Sequence, residues 1–340
     1  MMSQKKYVLV TGGLGYIGSH AVAELINQNF TPVIIDNLSN SDQSTLKNLE
    51  NLTKTKIFFF DQDIRNFDFI KLIFSKFDFY AVMHFAGLKS ISESFIRKDE
   101  YNEINVLGTK NLVREMLENN VSRFIFSSSA TVYGQPLKLP IDENEPLKST
   151  NPYGQNKIDV ENYLKDLSIN NKNISTICLR YFNPVGAHKS GMIGENPLGK
   201  PNNIMPLICN VACGESELLY VYGDDYETDD GTGIRDYIHV TDLVLGHISA
   251  LNYCDKFNGY LALNLGTGYG VSVKELITKF ENVNHIQIPY VLTKRREGDV
   301  AKIFANPKMA KKILGWKAKL SLEDMVKDSW NWNYLRKLNT

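Results

Sequence analysis

Tyr153 and Lys157 share one face of an expected helix, 135 residues after the last glycine of Thr11-Gly-Gly-Leu-Gly-Tyr-Ile-Gly18. A spacing of four brings the two side chains together. An ammonium beside a phenol favours its ionised form, and a phenolate is a suitable base for oxidising an alcohol. The run Ser127-Ser-Ser-Ala-Thr-Val-Tyr133 offers a hydroxyl to bridge phenol and substrate. Ser129 is the choice among its three serines, with at least one of Ser127 and Ser128 expected to satisfy backbone at a strand end. Gly12, Gly13, Gly15 and Gly18 permit a tight turn and close approach of backbone to a pyrophosphate. The helix that follows presents its amides and positive dipole end.

A glycine cluster alone fits any strand-to-helix turn, so its context decides. Asp36 closes the second expected strand eighteen residues after Gly18, where an acid binds the hydroxyls of an adenosine ribose. A carboxylate there repels a ribose phosphate, and neither Arg nor Lys follows through Asp42. NAD is therefore expected over NADP. Asp63 follows the third strand as a partner for the adenine amine. Phe85-Ala-Gly-Leu-Lys89 follows the fourth, beside the nicotinamide.

The elements that position these residues follow from hydrophobic runs. Residues 7–10, 32–35, 57–60, 79–83, 123–126 and 175–179 are short and apolar and rarely alternate with polar residues, as expected for strands buried on both faces. Helix-length segments separate them, among them 17–27, 67–76, 101–119 and 152–167, the last opening with proline. The expected fold is α/β: a Rossmann-type doubly wound parallel sheet with a smaller mixed α/β C-terminal substrate lobe. Residues 1–180 form the dinucleotide domain and 181–340 the second lobe, with parts near 236–265 returning to the first. Residues 204–213 are apolar and 236–240 strand-like.

Composition narrows the function classes. The chain has 340 residues, and Lys plus Arg and Asp plus Glu both number 38, so no global field draws it to nucleic acid or an anionic membrane. No apolar run approaches spanning length and no leader is visible, which gives the expectation of a cytoplasmic protein. Four scattered cysteines suggest reduced thiols. No His or Cys cluster has metal spacing, and the acidic stretch 225–231 lacks the closing Glu of a calcium loop. No metal is expected.

Taken together, Gly-x-x-Gly-x-x-Gly, a Ser before Tyr-x-x-x-Lys and a long C-terminal extension resemble the extended short-chain dehydrogenase/reductase superfamily. Longer strings narrow this to the UDP-glucose 4-epimerase (UDP-galactose 4-epimerase) family: Thr11-Gly-Gly-Leu-Gly-Tyr-Ile-Gly-Ser-His20, His84-Phe-Ala-Gly-Leu-Lys89, Arg180-Tyr-Phe-Asn-Pro-Val-Gly-Ala-His188, Pro201-Asn-Asn-Ile-Met-Pro206, Gly231-Thr-Gly-Ile-Arg-Asp-Tyr-Ile-His-Val240 and Arg295-Arg-Glu-Gly-Asp299. The resemblance runs in one register from about Tyr7 to Trp332. It implies an isomerase with a bound, recycled NAD that inverts carbon 4 of a UDP-hexose through a transient ketone. Tyr153 is then the acid–base group, Ser129 its proton relay and Lys157 its tuner. The phenol must fall from an ordinary pKa of about 10 toward neutrality, about 4 kcal/mol of differential stabilisation.

The same resemblance implies NAD contacts at Gly12, Gly15, Tyr16, Ile17, Gly18, Asp36, Asn37, Asn40, Ser41, Asp63, Ile64, Phe85, Ala86, Gly87, Lys89, Asn105, Ser127, Tyr153, Lys157 and Tyr181. It implies substrate contacts at Lys89, Ser129, Tyr153, Phe182, Asn183, Asn203, Tyr222, Arg235, Tyr237, Arg296, Asp299 and Ile303. Arg235 and Arg296 face the diphosphate and Asp299 the uridine ribose, although Arg235 could instead pair with Asp236 or Asp224. Ile303 stands where the family carries either a bulky aromatic or a small residue, so poor but measurable turnover of UDP-N-acetylhexosamines is expected. Leu14 departs from the usual turn and is given little weight. A homodimer through 101–119 and 152–167 is implied as well.

Three other readings compete. A nucleotide-sugar 4,6-dehydratase would place Asp-Glu directly after Ser129, where this chain has Ala130 and Thr131. A net dehydrogenase would need added NAD for turnover. A non-catalytic NAD sensor need not keep Ser129, Tyr153 and Lys157 together.

Overall fold

A computed structural model describes residues 5–199, 201–296 and 299–338. In chain order it runs β1 (Tyr7–Thr11), α1 (Tyr16–Asn27), β2 (Thr31–Asp36), α2 (Ser44–Thr53), β3 (Phe58–Asp61), α3 (Phe67–Lys76), β4 (Phe79–His84), α4 (Ile91–Ile96) and α5 (Lys98–Asn102). A π-helical turn, Glu103–Gly108, leads into α6 (Thr109–Glu118), β5 (Arg123–Ser129), a 3-10 turn (Ala130–Tyr133), α7 (Pro152–Asn170), β6 (Ser175–Tyr181), β7 (Asn183–Val185), α8 (Ile204–Ala212) and β8 (Leu219–Tyr222). The remainder is β9 (Ile234–Arg235), β10 (Tyr237–His239), α9 (Val240–Tyr253), β11 (Gly259–Leu265), β12 (Val271–Ser272), α10 (Val273–Asn284), β13 (Tyr290–Thr293), β14 (Lys302–Ile303), α11 (Lys308–Leu314) and α12 (Leu322–Leu338).

Two compact units emerge, one of Met1–Gly134, Leu147–Arg180 and Val244–Leu263, the other of Gln135–Pro146, Tyr181–Leu243 and Asn264–Thr340. The first is built on a sheet of order β11-β6-β5-β4-β1-β2-β3, seven strands among the described residues. Pairings from β3 through β2, β1 and β4 to β5 are parallel. This is a Rossmann-type doubly wound sheet, and strand order reverses at β1, so the crevice of such folds opens beyond the ends of β1 and β4. The apolar strands earn their buried places: Leu9, Val33, Val82 and Phe124 are fully buried against Ile70 and Ile73 of α3, Leu112 of α6 and Leu164 of α7. Truncating one such leucine to alanine costs about 2–5 kcal/mol.

Local chemistry sets the helix ends. Asn66 caps α3 by accepting from Phe69 N at 3.2 Å, and Asn151 caps α7 by accepting from Gly154 N at 2.8 Å, with Pro152 in the first turn. The single helix expected over 101–119 is instead broken into α5, the π turn and α6. The widened turn brings Asn105 onto the loop after β4, accepting from Leu88 N at 2.8 Å and donating to Leu88 O at 2.9 Å. Those tertiary bonds compensate the irregular ladder.

The second unit has its own core, with Val185, Ile208, Leu219, Leu276, Phe280 and Val326 buried among helices α8, α10 and α12. Its strands form small sheets: β7 with β10, β8 with β13, and β12-β9-β14. The strand expected over 236–240 is shorter, because Asp236 is withdrawn between β9 and β10 and α9 begins at Val240. Among the described residues no helix is long and apolar enough to cross a membrane, and no three His, Cys, Asp or Glu could hold a metal. In the acidic stretch, Asp225 accepts from Arg295 Nε at 2.6 Å and Asp230 from Thr232 N at 2.8 Å.

Candidate active site

The glycine turn leaves β1 beneath the loop that follows β4. A Cβ on Gly12 would lie 2.7 Å from Ala86 N and one on Gly18 2.1 Å from Gly12 O, and Gly12 has φ +68°. Neither position admits a side chain. Gly15 is the N-cap of α1, without a side-chain cap and without an acid in the first turn. Helix geometry leaves first-turn amides without intrahelical acceptors, so this end suits a phosphate. Phe85 N and Ala86 N both donate to Thr11 O at 3.0 Å, which fixes the two loops against each other.

Asp36 ends β2, buried, and accepts from Leu14 N at 3.0 Å, Leu38 N at 3.1 Å and Ser41 Oγ at 2.7 Å. Leu14, set aside in the sequence, thus ties the glycine turn to this carboxylate through its backbone. Asn40 and Lys89 are exposed, while Ile64 is buried. Asp63 accepts from Arg65 N, Nε and Nη2 at 2.8, 3.0 and 2.9 Å and from Asn37 Nδ2 at 2.8 Å. The Arg65 guanidinium holds its carboxyl down to about 2. An adenine amine would have to displace one of these donors, and Asn37 is the exposed one.

At the end of β5, Ser129 is close enough to Tyr153 to favour the ionised phenol, and its Oγ accepts from Thr131 N at 3.2 Å and Thr131 Oγ1 at 3.0 Å. Lys157 is buried. Its Nζ donates to Ser127 O at 2.7 Å and lies 4.6 Å from the Phe126 ring centroid and 5.7 Å from that of Tyr153. The first unit therefore gathers Ser127, Ser129, Tyr153 and Lys157 as the spacing predicts.

Their electrostatics differ from expectation. Tyr153 is pushed up to about 12, not down, because burial outweighs the opposing influence of Ser129. Burial also pulls Lys157 down to about 8. Desolvation acts against both charged forms, and the four-residue spacing of Tyr153 and Lys157 carries no sign of it.

Sequence reasoning missed a buried network behind this cluster. Glu161, one turn beyond Lys157, accepts from Ser128 Oγ at 2.5 Å, Arg180 Nη2 at 2.6 Å and Tyr260 OH at 2.9 Å. Arg180 Nη1 donates to Tyr133 OH at 2.9 Å. An arginine inside the otherwise uncharged, fully buried Ser-Thr-Ile-Cys-Leu-Arg-Tyr of β6 was the available signal.

In the second unit, Arg235 Nη2 lies 3.7 Å from Asp299 Oδ1, and its Nη1 donates to Val300 O at 2.8 Å. Neither Asp236 nor Asp224 is its partner in this fold. Asp236 accepts from Thr267 N at 2.8 Å, Gly268 N at 3.0 Å and Ala305 N at 3.1 Å, and a Cβ on Gly266 would fall 2.5 Å from its Oδ2. Arg296 stacks on Tyr222, 4.0 Å from the ring centroid; Glu297 and Gly298, which follow it, lie outside the described residues. Ile303 pairs with Arg235 across β14 and β9, Asn183 N donates to Asp236 O at 2.9 Å, and Asn203 Nδ2 to Glu195 Oε1 at 2.6 Å. Tyr181, Phe182 and Tyr237 are buried.

A family model described as GDP-mannose 4,6 dehydratase matches residues 9–329. A UDP-glucose 4-epimerase of Dictyostelium discoideum is 49% identical over 96% of both chains. A crystal structure of the UDP-glucose 4-epimerase of Stenotrophomonas maltophilia, with NAD and formylated UDP-arabinopyranose bound, is 42% identical, with TM-score 0.96 over 99% of this chain and 100% of that one. That of Bifidobacterium longum, in complex with NAD+ and UDP, is 43% identical, with TM-score 0.95 over 98% and 100%. The chain belongs to the UDP-glucose 4-epimerase family, within the extended short-chain dehydrogenases/reductases.

Proposed function

We propose that this enzyme interconverts UDP-galactose and UDP-glucose by inverting carbon 4 of the hexose, with one NAD held tightly and recycled at each turnover. The observation that carries the reading is the cluster of Ser129, Tyr153 and Lys157 at the carboxyl end of β5, in the same unit as a glycine turn shaped for a pyrophosphate. Bound NAD supplies a hydride acceptor and donor, together with the positive charge of its nicotinamide.

The chain's own residues manage the proton and the anchor. Tyr153 takes the 4-hydroxyl proton and returns it after the transient 4-ketone has turned its other face, and Ser129 passes or orients that proton. Thr131 Oγ1, donating to Ser129 Oγ, fixes the hydroxyl's direction. Lys157, pinned by Ser127 O, keeps an ammonium near the phenol. Burial lifts Tyr153 to about 12, so the phenolate depends on nearby positive charge. Arg235 and Arg296 hold the diphosphate, Asp299 the ribose, and Tyr222, Asn183 and Asn203 the rest of UDP, leaving the hexose loosely held. Phe182 and Tyr237 form apolar support. The homodimer through helices α5 to α7, and a cytoplasmic site of action, belong to the same reading.

The dehydratase described by the family model is the second reading. It is disfavoured because Ala130 and Thr131 supply no carboxyl for the additional proton transfer. Incubating the purified protein with UDP-galactose, without added NAD, and following products by nuclear magnetic resonance separates the two. UDP-glucose forms on the epimerase reading, and Tyr153→Phe lowers kcat by at least about 10³-fold. A 6-deoxy-4-ketose product, or no conversion even with NAD supplied, overturns it.

A further inference from the structure

The end of β5 is gripped three times by α7, residue after residue. Ser127 O takes Lys157 Nζ, Ser128 Oγ donates to Glu161 at 2.5 Å, and Ser129 meets Tyr153. The outer two contacts belong to the proton-transfer group, whereas the middle one runs into the buried Glu161–Arg180 pair. Arg180 approaches Glu161 through both Nε, at 3.1 Å, and Nη2, at 2.6 Å, with side-chain exposures of 4% and 1%. Such a paired, fully buried fork has little geometric freedom. Tyr260 of β11 and Tyr133 of the 3-10 turn close its sides. The network thus joins β5, β6, β11 and α7 at one level of the sheet.

Its charge matters as much as its geometry. Lys157 is faced by Tyr153 and Glu161 from its own helix, by Ser127 O and the Phe126 ring from β5, by Cys178 from β6 with Arg180 behind Glu161, and by His84 from β4. Burial keeps His84 neutral, down to about 3, and keeps the Cys178 thiol protonated. Glu161 offsets part of the burial of Lys157, and Arg180 cancels Glu161 in turn, so that the pair carries no net charge.

We propose that Glu161 and Arg180 are positioning residues for proton transfer: through Ser128 they lock the end of β5 to α7 at the spacing at which Ser129 meets Tyr153, and as a neutral pair they leave Lys157 charged. This inference rests on Tyr153 being the acid–base group. Atoms misplaced by about 1 Å cost on the order of 10²-fold in rate, and Ser128→Ala removes only the middle grip while keeping the ion pair.

The test uses the purified holoenzyme with UDP-galactose, recording kcat, KM and the pH profile of kcat, with folding checked by circular dichroism and Tm. Ser128→Ala is expected to lower kcat about 10-fold with KM within about twofold. Glu161→Gln leaves Arg180 uncancelled, so Lys157 loses its proton sooner and the alkaline limb moves about one pH unit lower. In Glu161→Gln/Arg180→Met the limb returns, because the pair is again neutral. Should Glu161→Gln fail to fold, Ser128→Ala and the double variant carry the test. Wild-type kcat in Ser128→Ala and in the double variant, with Tyr153→Phe inactive, overturns the inference alone. An active Tyr153→Phe overturns the proposed function instead.

Discussion

Two arginine–carboxylate pairs in this protein look alike on paper and behave as opposites. Arg180 and Glu161 are buried, close at 2.6 Å and surrounded by further donors. Arg235 and Asp299 are 3.7 Å apart with side-chain exposures of 18% and 39%. Removing one member of the first strands a charge in protein, whereas water can solvate either member of the second. The tight pair is thereby committed to shape. The loose one keeps its arginine exchangeable, as the proposed diphosphate site requires.

The comparison is most exposed to Arg180→Met, expected to cost about 3–5 kcal/mol and to lower Tm by on the order of 10 °C in scanning calorimetry. A Tm within about 2 °C of wild type would place Arg180 with the solvated pairs. Arg235→Met should do the reverse. Stability changes by less than about 1 kcal/mol, while KM for UDP-galactose rises on the order of 10–100-fold through loss of charge-assisted bonds to the diphosphate. An unchanged KM removes Arg235 from the anchor.

A third variant sharpens the contrast between buried charge and charge left in solvent. Lys157 falls to about 8 in the fold through burial, then the opposing influence of its neighbours, against an ordinary value near 10.5. Between those values the unfolded chain binds more protons than the folded one, so this group makes stability rise with pH from about 8 to 10.5. Measured against Lys157→Met, wild type should gain in Tm across that window. The same variant lowers kcat about 10²-fold or more. A Tm difference independent of pH contradicts the buried ammonium.

The smallest effect concerns Ile303, paired with Arg235 on the exposed side of the comparison. Wild type should turn over UDP-N-acetylglucosamine poorly but measurably, and Ile303→Ala should raise the acetylated-to-plain ratio of kcat/KM about 10-fold, the scale of one or two methylenes in a pocket. Equal rates for both sugars in wild type defeat the size argument.

Helix α3 was legible to the residue because an Asn cap and an apolar face both act within ten residues. Strands β5 and β6 run past their expected ends to Ser129 and Tyr181, since polar residues at a strand end are compatible with extended backbone. The π turn was not legible: its irregular ladder is compensated by Asn105 bonding to Leu88, a contact between segments far apart in sequence. Nor was the Glu161 network, because Lys followed by Glu four residues later is the signature of a solvated helix face. The cluster of Ser127, Ser129, Tyr153 and Lys157 was legible as an assembly. Its electrostatics were not, because burial has no local sequence signature.

Asp236 carries a consequence for recognition. Its carboxylate ties residues 267, 268 and 305 to the segment that bears Arg235, and Gly266 makes room for it. Arg235's backbone is thus set when the chain folds, before any ligand arrives, and binding need not order it. Preorganisation of this kind lowers the entropic cost of association, so the proposed anchor would grip a diphosphate firmly while spending little of the interaction on arranging itself.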